Sequence, residues 1–186
     1  GTIEYCQDVP DEGRGNTINV TVTGGAVERL AERLGERRQV MMTASCGLCG
    51  RRTIESLQAR VAAVAGNWTV GAEVIASLPD RLRTSQAVFD STGGLHAAGL
   101  FDRAGTLLLS AEDVGRHNAV DKIVGRTLLE GKHPLDESIL LVSGRTSFEL
   151  VQKALLAGIP LIAAVSAPSS LAIDLAEQAE IGRAHV

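Results

Sequence analysis

Residues 115–178 limit the possible folds more than any other stretch, because strand and helix patterns alternate there at short range. Asn118–Leu129 reads as a helix, Ile139-Leu140-Leu141-Val142 as a strand and Leu150–Ala157 as a helix; Ile159–Val165 follows as a strand and Ser169–Glu177 as a helix. Neither strand run contains a polar side chain, which suits strands covered on both faces. Strand–helix–strand units of this length call for right-handed crossovers and at least partly parallel pairing. A layered α/β domain follows. Thr146-Ser147-Phe148-Glu149 has the T-x-x-E form of a capping box, with Thr146 as the cap. Gly158 is placed to end the helix that closes at Ala157.

The upstream half is less regular. Residues 1–16 carry Pro10, Gly13 and Gly15 among charges and read as loop. Thr17–Thr23 alternates polar and apolar as a half-buried strand does. Val27, Leu30, Ala31 and Leu34 mark a short helix after Gly24-Gly25, and Val40–Thr43 a strand. Ile54, Leu57, Val61 and Val64 fall on one helical face. Pro79 is expected to open a further helix running toward Phe89. Leu95–Phe101 and Thr106–Leu109 flank a glycine-containing turn and read as a β-hairpin. The expected divisions are 1–45 as an N-terminal strand/helix region, 46–180 as the α/β core and 181–186 as a tail.

Composition excludes several classes. A net charge of −4 gives no general attraction for nucleic acid. The five aromatic residues (Tyr5, Trp68, Phe89, Phe101, Phe148) are too few for a base-stacking platform. No apolar run is long enough to span a membrane, and no basic-then-apolar leader opens the chain, so a cytoplasmic location is expected. The chain begins with Gly1 rather than Met, as a fragment or processed form does.

The three cysteines, Cys6, Cys46 and Cys49, do not make a disulfide framework. Ser45-Cys46-Gly47-Leu48-Cys49-Gly50 lies between an expected strand and an expected helix. A thiol at a helix N-terminus is favoured as thiolate, and Arg51 and Arg52 add positive charge. Gly47 and Gly50 permit a tight, open loop. These are the conditions for a nucleophilic or persulfide-bearing sulfur. Structural zinc would need a second close ligand pair, and none is present in the sequence. A thioredoxin-like redox pair is the stronger rival, and a pair of inert thiols the weakest.

Leu95-His96-Ala97-Ala98 resembles the H-x-E signature of zinc deaminases, but Ala98 stands where the general acid/base Glu belongs. Deaminase chemistry is therefore not expected. Glu112-Asp113-Val114-Gly115-Arg116-His117-Asn118 gathers polar groups at a strand–helix junction, where Asp113 suits a base or ribose and Arg116 a phosphate; the alternative is a capped turn with solvated charges. Asp121 and Lys122 read as surface charges. Ser143-Gly144-Arg145-Thr146-Ser147 and Ser166-Ala167-Pro168-Ser169-Ser170 follow successive buried strands, at the sheet end where α/β proteins bind ligands. Helix capping alone is the alternative for both. Neither loop has a full phosphate-loop or dinucleotide fingerprint.

Taken together, Cys46–Gly50, Thr92–Ala98, Glu112–Lys122, Val142–Arg145 and Ala164–Ala167 resemble the FdhD family, the formate dehydrogenase accessory sulfurtransferases. The resemblance implies a three-layer α/β/α cytidine-deaminase-like core with a mixed sheet. It implies Cys46 as the persulfide carrier and Cys49 as its helper or relay. Sulfur would pass from a cysteine desulfurase to a molybdenum bis(molybdopterin guanine dinucleotide) cofactor, bound as substrate and destined for formate dehydrogenase. Asp113, Arg116, His117, Ser143, Arg145 and Ser166 would contact the guanine dinucleotide arms. A homodimer is implied, and no catalytic metal of the protein's own. A further strand after the last helix is also implied, but Glu180–Val186 does not read as one. Two other functions fit the same residues: a thiol–disulfide oxidoreductase using Cys46 and Cys49, and a non-catalytic chaperone that binds the cofactor.

Overall fold

In the computed structural model, which describes residues 1–7, 15, 17–35, 64 and 68–186, the two apolar strand runs lie inside a five-stranded sheet. Its strands are β3 (His96–Asp102), β4 (Leu107–Asp113), β5 (Ser138–Arg145), β6 (Leu161–Ser166) and β7 (Gly182–His185), in the order β4-β3-β5-β6-β7. The β3–β4 and β3–β5 pairs are antiparallel; β5–β6 and β6–β7 are parallel.

Alternation along the strands sends successive side chains into two cores. Leu100, Leu140, Val142, Ile162 and Ala164 pack beneath α4 (Arg116–Leu129), α5 (Phe148–Ala157) and α6 (Ser170–Gln178). Phe101, Ile139, Leu141 and Ala163 pack beneath α2 (Ala72–Arg83) through Ile75, Leu78 and Leu82. Leu140 and Leu141 are therefore both fully buried, on opposite faces. This explains why the run reads as apolar at every position, and it is the expected three-layer α/β/α class with a mixed sheet. Each fully buried leucine contributes about 1.5–3 kcal/mol. Gly99 has no room for a side chain: an added Cβ would stand 2.7 Å from Phe101 Cε2 and 3.0 Å from Leu82 Cδ1.

Four elements differ from expectation, the first being a strand at Thr2–Tyr5 within residues expected as loop. Pro79 lies inside α2 rather than opening a helix, and a separate short helix, α3 (Ala87–Thr92), follows. The buried stripe of Ile75, Leu78 and Leu82 starts α2 earlier, behind Gly71. The cap of α5 is Ser147, one residue later than the T-x-x-E spacing places it, and Thr146 is buried. Finally, the residues expected as a tail form β7, whose polar sequence hides a strand paired with β6 through Leu161↔Gly182 to Ala164↔His185.

The described residues fall into two compact units, 1–35 in one and 64–186 in the other. In the first, β1 (Thr2–Tyr5) pairs antiparallel with β2 (Ile18–Thr21), and α1 (Gly25–Gly35) follows. The strand expected at 40–43, most of the helix expected at 54–64, and Cys46 and Cys49 lie outside the described residues.

Candidate functional site

At one end of the sheet the C-terminal ends of β4, β5 and β6 meet the start of β3. The sequence-predicted residues Asp113, Arg116, His117, Ser143, Arg145 and Ser166 all lie at this end. His96 opens β3 opposite Asp113. Ser143 sits next to a register irregularity of β5, and its Oγ accepts from Ala97 N at 2.9 Å, tying β5 to β3. Arg145 and Ser166 face each other across β5–β6. His96 belongs to a strand and not to a strand-to-helix junction; the junction that carries a histidine is 113–117, ahead of α4.

The Asp113 carboxylate is fully engaged by its own loop. Its Oδ1 accepts from Gly115 N at 2.9 Å and Asn118 Nδ2 at 3.0 Å, and its Oδ2 pairs with Lys122 Nζ at 2.7 Å. Lys122, then the Gly115 amide, hold its pKa well down, from 3.8 to about 2. Lys122 also donates to Glu112 O at 2.8 Å, so this lysine braces the loop and is not a free surface charge. Glu112 turns the other way. Its carboxylate accepts from Val88 N at 3.0 Å and Phe89 N at 2.8 Å, at the start of α3. Two adjacent acids thus fasten two different walls of the site.

His117 is buried and joins two helices. Its Nε2 stands 3.0 Å from Ser147 Oγ and 3.8 Å from Glu149 Oε2. Burial, and next the neighbouring Arg116, push its pKa down, so the neutral ring is favoured. With Ser147 Oγ turned to His117, no side chain caps α5, and Gly115 leaves α4 uncapped as well. Arg116 is the first residue of α4, and its Nε is buried without a hydrogen-bond partner among the described residues. A Cβ on Gly144 would stand 3.3 Å from His96 Nδ1 and 3.9 Å from Arg116 Cδ, so glycine lets these side chains close on the strand end. An unpaired guanidinium nitrogen and helix starts without side-chain caps have the chemistry of an anion site.

Beside it opens a cleft of ≈ 630 Å³, lined by Arg83, Gln86, Phe89, Gly94, His96 and Ser143 among others. Gln86 gave no signal in the sequence, since only burial by α2 and α3 sets it apart. Asn118 and Ser147 lay in polar stretches that the sequence marked, and Lys122 read as a surface charge, but their particular roles arise from partners on other turns or helices.

A model of the FdhD/NarQ family matches residues 2–185. The chain belongs to the FdhD/NarQ family. It is 50% identical over 184 residues to the sulfur carrier protein FdhD of Streptomyces avermitilis, covering 95% of this chain and 63% of that protein. It is 46% identical to the sulfur carrier protein FdhD of Mycobacterium tuberculosis, covering 97% of this chain and 67% of that one. The chain thus spans about two thirds of the length of these FdhD relatives. A solved structure of a candidate formate dehydrogenase accessory protein from Desulfotalea psychrophila superposes with a TM-score of 0.58 and 33% identity, covering 64% of this chain and 53% of that chain. No helix among the described residues is long and apolar enough to cross a membrane.

Proposed function

We propose that this FdhD/NarQ chain carries sulfur for the maturation of formate dehydrogenase in the cytoplasm, and acts as a homodimer. The cargo is a molybdenum bis(molybdopterin guanine dinucleotide) cofactor, which is the substrate of the transfer and not a resident group. Support comes from the relatives named sulfur carrier proteins and from the Cys46-Gly47-Leu48-Cys49 motif. The observation that carries the binding half of the proposal is the buried Arg116 Nε, without a partner among the described residues, at the start of a helix that no side chain caps. It suits the phosphates of a guanine dinucleotide arm, with Ser143, Arg145 and Ser166 along the same sheet end and His117 fixing the spacing of the two helices. Asp113 supports this arrangement from behind by bracing the Arg116 loop.

In the chemical step the Cys46 thiolate attacks the terminal sulfur of a cysteine desulfurase persulfide. A new S–S bond forms at Cys46, the donor's S–S bond breaks, and the donor cysteine leaves as thiolate. Cys49 assists or relays. Release to the cofactor regenerates the Cys46 thiolate. The transferred sulfur is zero-valent, so a reduced acceptor metal supplies the two electrons of a sulfido ligand.

Incubating the full-length protein with a desulfurase and free cysteine should add the mass of one sulfur atom at Cys46. Cys46→Ala should gain none. An unmodified Cys46 in reduced, folded protein removes the carrier reading. If a variant with both motif cysteines changed to Ser still matures formate dehydrogenase, the chain is a cofactor chaperone instead.

A further inference from the structure

The Arg116 end of the sheet also holds a place for a proton. His117 is buried, and its Nε2 faces two groups of the α5 start: Ser147 Oγ at 3.0 Å and Glu149 Oε2 at 3.8 Å. Both can accept from an imidazolium, the hydroxyl through a lone pair and the carboxylate through its charge as well. The ring thus has the partners that a positive form needs, although burial and the neighbouring Arg116 keep it neutral. The other charges that act on it are Asp121, one turn further along α4, and Lys153, one turn beyond Glu149 on α5. Those two pair with each other at 2.5 Å, so they largely cancel at His117. On the strand ends at this side of the sheet the titratable groups are His96, Asp113 and Arg145, and Asp113 is held by Lys122. Glu149 pulling a proton onto the ring and Arg116 repelling it are the opposed charges.

Arg116 is the member of this balance that a ligand can change. Its Nε is buried and has no partner among the described residues. An anion seated on Arg116 offsets the guanidinium charge and adds its own attraction for a positive ring. Both effects raise the proton affinity of His117. Linkage makes the effect reciprocal, so the protonated protein binds the anion more tightly. We propose that His117 couples this site to pH: an anion that pairs with Arg116 draws one proton from solvent onto His117, which then donates to Ser147 and Glu149. This deepens the proposed function and rests on it, since the phosphates of the proposed cargo are the anion. His117 is a positioning residue in this scheme, and loss of its proton loosens the grip on the cargo.

The test is calorimetric titration of the full-length protein with GDP-mannose at pH values on either side of the ordinary histidine value of 6.5. The pyrophosphate of this probe is esterified at both ends and keeps one charge state over that range, whereas a terminal phosphate, with a second pKa of about 6, titrates itself. Affinity should rise about threefold or more as pH falls through the histidine range. Runs in two buffers of different ionisation heat should show net proton uptake on binding. His117→Gln should bind with no proton uptake and with an affinity that no longer changes with pH, while His96→Gln should keep both effects. Glu149→Gln should shrink the uptake, because the acceptor loses its charge. A constant affinity in the wild type, proton release on binding, or an undiminished pH slope in His117→Gln overturns the proposal. The two-buffer comparison on the wild type decides the matter even if a variant fails to fold. Absence of binding at every pH removes the binding half of the proposed function and this coupling with it, whereas binding without proton uptake removes the coupling alone.

Discussion

Replacing Asp113 with Asn tests whether the loop carrying Arg116 is held by charge. The carboxylate pairs with Lys122 at 2.7 Å and accepts from Gly115 and Asn118. Lowering its pKa from 3.8 to about 2 corresponds to roughly 2.4 kcal/mol, at about 1.4 kcal/mol for each tenfold change in proton affinity. Solvent around the half-exposed Lys122 reduces this to about 1–2 kcal/mol. The Asp113→Asn variant would keep an acceptor for Gly115 and Asn118 but lose the ion pair. At pH 7, with a urea slope of about 2 kcal/mol per molar, the unfolding midpoint should fall by roughly 0.5–1 M. The sign with pH is definite. A carboxyl whose pKa is lower in the folded state contributes fully above its ordinary value of 3.8 and loses that contribution as pH falls toward about 2. At about pH 3 roughly half of the difference between wild type and variant should remain. Equal midpoints at pH 7, or a gap that is the same at pH 7 and pH 3, would refute the electrostatic account of this loop.

Two further substitutions probe the frame of the site. His117 resists protonation when folded, so the unfolded chain binds the extra proton and stability should fall as pH drops through the ordinary histidine value of 6.5; His117→Gln should flatten that slope in urea titrations, and an unchanged slope would assign it to other groups. Gly99→Ala should destabilise by about 1–3 kcal/mol through overpacking, because its Cβ would meet Phe101 and Leu82; thermal unfolding of Gly99→Ala with Leu82→Val should show partial rescue, and strictly additive losses would mean the clash is absent.

Much of the scaffold was legible because burial leaves a local mark. Leu140 and Leu141 face opposite cores, and only a strand covered on both sides is apolar at both positions. Gly158 ends α5 in a left-handed conformation, as its placement after Ala157 implied. The Glu112–Asn118 cluster also stood out, because so many polar residues at one strand–helix junction seldom serve packing alone.

Other features depended on partners distant in the chain. The Thr146 spacing fits a cap, but Ser147 takes that place, and its hydroxyl is drawn to His117, far away in sequence. The sequence Gly182-Arg183-Ala184-His185 has no strand pattern, yet the open side of β6 supplies the hydrogen bonds that make it one. Gln86 looks like any surface glutamine until α2 and α3 bury it. Sequence alone therefore determined which segments become layers and where charge gathers, since periodicity and composition are local properties. Tertiary structure alone decided which polar groups are satisfied and which are left open, because a hydrogen-bond partner is defined by distance in space and not along the chain.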